Sequence, residues 1–220
     1  MNTDWVTSTF TQMSHGLVVT LQLAGIAVGL SVVLGLIVGT IGVIPLRPIQ
    51  FLVKLYIEVW RGLPIVVTLF FMFFALPAFR IALSPLVAAS IGLTLWGSAN
   101  LAALVRGAIE TIPLSQHEGS AALGMNWLMR MRYVILPQGF RRLLPPSLGI
   151  IAILIQATTA ASLIGVDEVL FEGRVNIERL TLTVGQTHAV PILGTVLVLF
   201  FIVSFSMGRL ARWLEGKLRY

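Results

Sequence analysis

The sequence contains no cysteine and few charged residues, and both shortages narrow the possible functions. Without cysteine, disulfide bonds, thiolate catalysis and cysteine-based metal sites are excluded. Only 11% of the 220 residues are charged, whereas 57% are hydrophobic. The phosphate-binding pattern Gly-x-x-x-x-Gly-Lys-Ser/Thr is absent, so we expect ATP to be bound by another polypeptide. The three histidines lie far apart in the sequence, and none stands at a metal-ligand spacing.

Long stretches with few or no charges predict a protein built from membrane-spanning helices. A helix needs about 20 apolar residues to cross a bilayer, and five stretches satisfy this. We therefore predict an all-α membrane protein with five transmembrane helices in a single domain, 1–220. The predicted helices cover about 13–46, 51–79, 81–110, 143–166 and 180–209. The second includes Glu58 and Arg61, whose spacing of three residues predicts that they pair.

The first predicted helix carries two rows of small residues at four-residue spacing. Gly25 and Gly29 form one row, and Ser31, Gly35 and Gly39 form the other. In lipid, small residues allow two helix backbones to approach closely. We therefore expect both rows to pack against neighbouring helices.

The basic residues are distributed unevenly between the two predicted sides. Twelve of the 15 Lys and Arg residues fall on one side, and only Arg80, Arg174 and Arg179 fall on the other. Because positively charged loops are retained in the cytoplasm, the N-terminus is predicted outside and the C-terminus in the cytoplasm. The loop 111–142, between the third and fourth helices, is then cytoplasmic. This topology accounts for the net charge of +6, which gives no reason to expect nucleic-acid binding.

The loop 111–142 contains a compact polar segment inside an apolar sequence. Ser115 and Glu118 match a capping box, which predicts a short helix that starts at Ser115. Gly124 tolerates a positive φ and predicts its end. A second, amphipathic helix should follow from Trp127, with Pro137 at its end.

This loop resembles the EAA loop of ABC importer permeases, in the branch that takes up polar amino acids. The matching residues are Glu118-Gly119-Ser120-Ala121-Ala122-Leu123-Gly124 and Ile135-Leu136-Pro137. Segments 56–64, 106–109 and 162–166 match in the same order and spacing, so the resemblance covers about residue 13 to the C-terminus. Two residues depart from the Glu-Ala-Ala pattern, because Gly119 and Ser120 stand where the family carries alanines.

The resemblance implies that the loop is a coupling element that docks on an ATPase. The residues assigned to this role are Ser115, Glu118, Gly119, Ser120, Ala121, Gly124, Leu136 and Pro137. It also implies a second permease subunit, two ATPase subunits that bind ATP and magnesium, and an extracytoplasmic solute-binding protein. This chain would then bind no cofactor and catalyse no reaction. It would lie in a bacterial plasma (inner) membrane.

The candidate substrate path is uncharged in its central part. Similar permeases carry Glu, Lys and Asp at the positions of Ala103, Gln156 and Ala157. The absence of these three charged residues favours a heterodimer whose second permease supplies the ionic contacts, although a homodimer stays possible. The polar candidates for this path are Arg61, Asn100, Gln156, Thr158, Thr159 and Ser162, and hydrogen bonding between helices would explain the uncharged ones equally well. The acidic group of Asp167, Glu168 and Glu172 is the candidate docking surface for the binding protein.

Two other classes of protein deserve comparison. A proton- or sodium-coupled carrier would be expected to hold acidic or histidine relays within the membrane, and apart from His188 near a helix start this sequence has none. A non-transporting membrane scaffold would account for five helices but would leave the polar loop unexplained. An ABC importer permease for a polar amino acid or a related small solute is therefore the favoured function.

Overall fold

The computed structural model describes residues 4–185 and 187–218, and these residues form helices and no strands. This confirms the all-α fold class. The α-helices, in chain order, are α1 Asp4–Ile41, α2 Arg47–Gly62, α3 Ile65–Phe70, α4 Pro85–Glu110, α5 Leu114–Ala122, α6 Trp127–Arg130, α7 Leu136–Ala157, α8 Val169–Val184 and α9 Ala189–Leu218. Two π-helical segments, Phe71–Ala75 and Met131–Ile135, and two 3-10 segments, Leu76–Phe79 and Thr158–Ile164, extend or join them.

Four helical stretches among the described residues are long and apolar enough to cross a membrane. They are Trp5–Ile41, Pro85–Glu110, Trp127–Ile164 and Ala189–Leu218. A fifth crossing is the pair Arg47–Gly62 and Ile65–Phe79, which is bent by 101°. Pro64 lies at the bend with an extended ψ of 134°, because proline cannot continue the backbone hydrogen bonding of α2. The described residues thus contain four candidate membrane spans, or five if the bent pair counts as one span.

Some predicted boundaries differ from those in the structure. The first helix starts at Asp4 instead of near residue 13. The segment 180–209 is interrupted, because Gly185 and His188 adopt positive φ values of 72° and 43° and break the helix there. As a result, α8 is a separate helix before the last crossing, and α9 extends beyond residue 209.

Pro137 does not end a helix, contrary to the sequence prediction. Helical backbone continues from Trp127 to Ile164 through this proline. The π-helical turn Met131–Ile135 comes directly before it, and the Leu136 N–H bonds the carbonyl of Met131 five residues earlier. A proline inside a regular α-helix clashes with a preceding carbonyl and lacks an N–H. The π turn is wider than an α-helical turn, so it accommodates both the proline ring and the missing N–H.

The chain divides into two compact units, each with its own core. Unit 1 comprises 1–29, 63–95 and 152–206, and unit 2 comprises 30–62, 96–151 and 207–220. The core of unit 1 joins α1, α8 and α9 through Met13, Val169, Leu180, Ile192 and Val196. The core of unit 2 joins α4 to the Met131–Ile135 turn and α7 through Val105, Ile109, Ile112, Met131, Ile135 and Leu143.

Close packing of small residues on α1 is confirmed for one of the two predicted rows. A Cβ added to Gly35 would lie 2.6 Å from Leu101 Cβ, and one added to Gly39 would lie 2.5 Å from Val105 Cβ. Helix α4 therefore approaches α1 so closely in unit 2 that only glycine fits. In unit 1, a Cβ on Gly25 or Gly29 would meet nothing within 4 Å, so that row is not packed against a described residue.

Replacement of these glycines by alanine tests the packing directly. Gly39→Ala should lower the Tm of the purified protein in detergent, because overpacking costs about 1–3 kcal/mol. Gly29→Ala is the matched control on the same helix. It should leave the Tm unchanged or raise it, since alanine in a helix is favoured over glycine by about 0.5–1 kcal/mol. Equal Tm values for the two variants would contradict the close approach of α4.

Candidate functional site

The polar helix α5 begins differently from the sequence prediction. Its N-cap is Pro113, with an extended ψ of 140°, and no side chain caps it. The Gln116 N–H already bonds the Pro113 carbonyl at 2.9 Å, so Ser115 lies inside the first turn. A capping residue must lie outside the helix, and the predicted capping box of Ser115 and Glu118 is therefore wrong. Both side chains are exposed at the surface instead.

The end of α5 follows the prediction for Gly124. This glycine has φ of +78°. Its N–H bonds the Ala121 carbonyl at 2.9 Å, and the Met125 N–H bonds the Ser120 carbonyl at 3.2 Å. These two bonds form a Schellman motif, which satisfies the last carbonyls of the helix. The buried Ser120 hydroxyl donates a hydrogen bond to the Gln116 carbonyl at 2.7 Å. The helix therefore accommodates a serine where the family carries an alanine.

The next helix, α6, starts at a cap that the sequence analysis missed. The Asn126 side-chain Oδ1 accepts a hydrogen bond from the Met129 N–H at 2.9 Å. Asparagine directly before the apolar Trp127 is a known start signal, and could have identified this boundary. Gly124 and Asn126 together set the turn between α5 and α6.

Three long-range hydrogen bonds tie α5 and its flanks to the helix that follows. They join Arg130 Nη1 to the His117 carbonyl (3.5 Å), Gln138 Nε2 to Gln116 Oε1 (3.2 Å) and Arg142 Nη1 to the Thr111 carbonyl (2.6 Å). They hold the short helix against the helical stretch that starts at Trp127. The α5 segment is therefore a hydrogen-bonded unit and not a loose loop.

The α5–α6 segment exposes apolar side chains beside polar ones. Leu123 is 79% exposed and Leu128 is 67% exposed, and Leu114 and Tyr133 are also exposed. Glu118 lies on the same helix as Leu114 and is exposed as well. Exposed apolar side chains surrounded by polar residues are typical of protein–protein interaction sites. We call the exposed side chains of Leu114, Glu118, Leu123, Leu128 and Tyr133 the α5–α6 surface.

Among the proposed path residues, Arg61 does not pair with Glu58. Glu58 forms an ion pair with Lys54 at 3.6 Å, one turn earlier on α2. A spacing of four residues brings the lysine ammonium beside the carboxylate as well as a spacing of three does. Arg61 lies exposed at the end of α2.

The hydroxyl groups of the path candidates mostly bond their own helix. Thr158, Thr159 and Ser162 each donate to the carbonyl three residues earlier, at 2.7–2.8 Å. Asn100 Nδ2 donates to the Trp96 carbonyl at 2.8 Å. Gln156 is the exception, because its Nε2 donates to the Ser204 hydroxyl on α9. Residues 156–162 thus form one segment of unit 1, whereas Arg61 and Asn100 belong to unit 2.

Glu168 is completely buried, unlike the rest of the predicted acidic surface. Its carboxylate caps α8, because it accepts hydrogen bonds from the Leu170 N–H at 3.0 Å and the Phe171 N–H at 2.8 Å. The assignment of Glu168 to a docking surface is therefore corrected to a helix cap. Asp167 is exposed and Glu172 is partly exposed, so these two carboxylates lie at the surface.

Helix α1 holds the start of α8 in place within unit 1. The Thr20 hydroxyl accepts a hydrogen bond from the Val169 N–H at 3.1 Å. Gly16 lies so close that a Cβ there would be 2.9 Å from Val169 Cα. Glu168, which lies between the spans, is enclosed by this contact. Burial raises its pKa to about 7, and the two N–H groups that lower its pKa offset only part of that effect.

The sequence matches a family of transport proteins over most of its length. The model of the family described as "Binding-protein-dependent transport system inner membrane component" matches residues 31–220. The chain belongs to this family. It is accordingly a multi-pass membrane permease subunit of an ABC importer and not an enzyme, since ATP is hydrolysed by separate ATPase subunits.

Several relatives are similar over most of their length. A probable glutamine ABC transporter permease protein, GlnP, of Bacillus subtilis (strain 168) is 30% identical over 202 residues, 92% of this chain and 91% of that protein. The glutamine transport system permease protein GlnP of Escherichia coli (strain K12) is 34% identical over 166 residues, 74% of this chain and 73% of that protein.

Solved structures share the fold. A chain in the crystal structure of an amino acid ABC transporter with histidines superposes with a TM-score of 0.86 at 24% identity, and covers 99% of both chains. A chain of the MetNI methionine ABC transporter in an inward-facing conformation superposes with a TM-score of 0.72 at 20% identity, over 93% of this chain and 97% of that one. At these sequence identities, the structural likeness establishes the fold alone.

The buried carboxyl of Glu168 predicts a stability that depends on pH. Below pH 4.5 this group is protonated in both the folded and the unfolded protein, so burial of charge costs nothing. Between pH 4.5 and about 7 the unfolded protein ionises this group while the folded protein keeps it protonated, so the free energy of unfolding falls as pH rises. A shift from 4.5 to about 7 corresponds to a loss of about 3 kcal/mol. The Tm of the wild type should therefore fall between about pH 4.5 and about pH 7, and this group should add no further fall above that.

Glu168→Gln should reduce this fall in Tm, because the amide keeps an acceptor for the cap but cannot ionise. Glu178→Gln is the control, since it makes the same change at an exposed position of α8. It should leave the pH dependence as it is in the wild type. If Glu168→Gln shows the wild-type slope, the burial of this carboxyl does not govern the stability of the α8 start.

Proposed function

We propose that this chain translocates a polar amino acid, or a closely related small solute, that an extracytoplasmic binding protein delivers. The observation that carries the proposal is the α5–α6 surface, an exposed apolar and acidic surface on a short helix tied rigidly to a membrane-spanning stretch. The choice of solute class is supported by the relatives, two of which are named for glutamine.

The α5–α6 surface is proposed to dock on an ATPase. Leu123 and Leu128 supply apolar contacts, and Glu118 supplies charge. Ser115, Gly119, Ser120, Ala121 and Gly124 build the helix that presents them, and Leu136 and Pro137 lie where the π turn passes into α7. Because the helical stretch Trp127–Ile164 is continuous, a movement imposed at α6 is proposed to reach the candidate path residues 156–162 along this stretch. ATP and magnesium would be bound by that partner alone.

The proposed orientation places the N-terminus outside and the α5–α6 segment and the C-terminus in the cytoplasm of a bacterial inner membrane. The twelve-to-three distribution of Lys and Arg supports it. Under this orientation α8 lies near the outer surface. Asp167 and Glu172, held in place by the capped start of α8, are then proposed to receive the binding protein.

The substrate path of this subunit is proposed to be neutral. Gln156 is linked to Ser204, and the nearby hydroxyls bond backbone carbonyls, so no ionic group faces the solute from residues 156–162. A zwitterionic amino acid that needs ionic contacts would find them on a second permease subunit. We therefore favour a heterodimer over a homodimer, with two ATPases on the cytoplasmic side.

Purification of the tagged chain from its native membrane tests this proposal. We expect an ATPase and a second, different permease to copurify, and the reconstituted complex to take up solute only with ATP and binding protein. Leu123→Glu should reduce the recovered ATPase more than tenfold, because loss of a central interface residue costs at least about 2 kcal/mol. Leu182→Glu, at an 80% exposed leucine of α8, is the matched control and should retain the ATPase.

The outcomes separate the parts of the proposal. Retention of the ATPase by Leu123→Glu at a wild-type level would show that α5–α6 is not the docking surface. A complex that contains this chain as its only permease and still supports uptake would show that the heterodimer is wrong. Uptake without ATP would contradict the importer itself.

A further inference from the structure

A cavity in unit 2 lies beside the α5–α6 surface and shares Leu128 with it. It has a volume of about 330 Å³ and opens between the C-terminal end of α1 and the start of the helix that follows α5. Its apolar walls are formed by Ile41, Ile44, Trp127, Leu128 and Met131. Sites for small ligands have volumes of about 300–1,000 Å³. The cavity therefore has room for part of an elongated apolar group.

One charged side chain, Arg132, lines this apolar cavity. Other basic side chains of unit 2 are engaged, since Arg130 bonds a carbonyl and Arg106 pairs with Glu110 at 3.3 Å. Within the described residues the Arg132 guanidinium makes no ion pair or hydrogen bond. It lies 5.7 Å from the centre of the Tyr133 ring, a contact that leaves its N–H groups unpaired. An exposed, unpaired guanidinium is suited to bind phosphate oxygens.

The cavity lies where a membrane span ends. The apolar stretch of α1 ends at Ile41, and the chain then turns through Pro45 to Arg47 at the start of α2. Tryptophan, here Trp127, is enriched where membrane and water meet. In this position the apolar walls can contact acyl chains, and the long arginine side chain can reach lipid phosphates.

We propose that this cavity binds an anionic phospholipid of the surrounding bilayer. An acyl chain lies against Ile41, Ile44 and Met131, and the Arg132 guanidinium donates hydrogen bonds to the phosphate of the headgroup. The positive charge provides the selectivity for an anionic over a zwitterionic lipid. The bound lipid links the end of α1 to the helix that carries the α5–α6 surface. The site shares Leu128 with the α5–α6 surface, but the lipid is held by Arg132 and the remaining walls, so its binding does not require the proposed docking of an ATPase.

Quenching of Trp127 fluorescence by brominated lipids measures occupancy of the cavity directly. The full chain is reconstituted in phosphatidylcholine bilayers with increasing fractions of either brominated phosphatidylglycerol or brominated phosphatidylcholine. The Trp127 contribution is obtained as the difference from Trp127→Phe. We expect brominated phosphatidylglycerol to quench Trp127 at about fivefold lower mole fraction, the selectivity expected for one basic residue near the surface.

Three variants assign this selectivity to Arg132. Arg132→Gln should remove the preference for phosphatidylglycerol, whereas Arg132→Lys should keep most of it. Arg212→Gln removes an exposed charge near the end of α9, outside the cavity, and should keep the full preference. Equal quenching of the wild type by both lipids, or undiminished selectivity in Arg132→Gln, would overturn the proposal. So would an absence of quenching by either lipid, which would show that protein covers the cavity.

Discussion

The structure depends on one constraint, the absence of water in the bilayer to satisfy backbone N–H and C=O groups. Each spanning segment must satisfy these groups internally, so the described spans are helical. The same constraint limits how the helices depart from regular α-helical geometry. At Pro64 the span bends by 101°, and before Pro137 the helix widens into a π turn instead of stopping. The second solution matters for function, because it leaves one continuous helix between the α5–α6 surface and residues 156–162.

The same constraint confines charge to particular places. Ionic groups within the spans are few. The ion pair Arg106–Glu110 lies at the end of α4, and Lys54–Glu58 lies on an exposed face of α2. The one completely buried carboxylate, among the described residues, is Glu168, which lies between spans and accepts two backbone N–H bonds. In the proposed function the path is neutral at residues 156–162, and this subunit receives energy from an ATPase outside the membrane. The exposed, hydrogen-bonded α5–α6 segment suits that role.

Apolar run lengths and local motifs predicted the fold class, the spans and the position of Gly124, because these depend on interactions within about one helical turn. The start of α5 was predicted wrongly, since the fixed φ of Pro113 set the helix start two residues before the apparent capping box. The continuation of the helix through Pro137 depends on a π turn, which no sequence pattern predicts. The burial of Glu168 and the packing of Gly39 depend on contacts with α1 and α4, and the sequence shows only that such contacts are allowed.

The side of the membrane on which the α5–α6 surface lies tests the account most directly. The chain has no cysteine, so single cysteines can be introduced without background at Gln116 on α5 and at Arg174, an exposed residue of α8. The account predicts that a membrane-impermeant thiol reagent labels Arg174→Cys in cells whose outer surface is accessible. It labels Gln116→Cys only after the inner membrane is opened. Labelling of Gln116→Cys from outside would contradict the coupling role and the proposed orientation together.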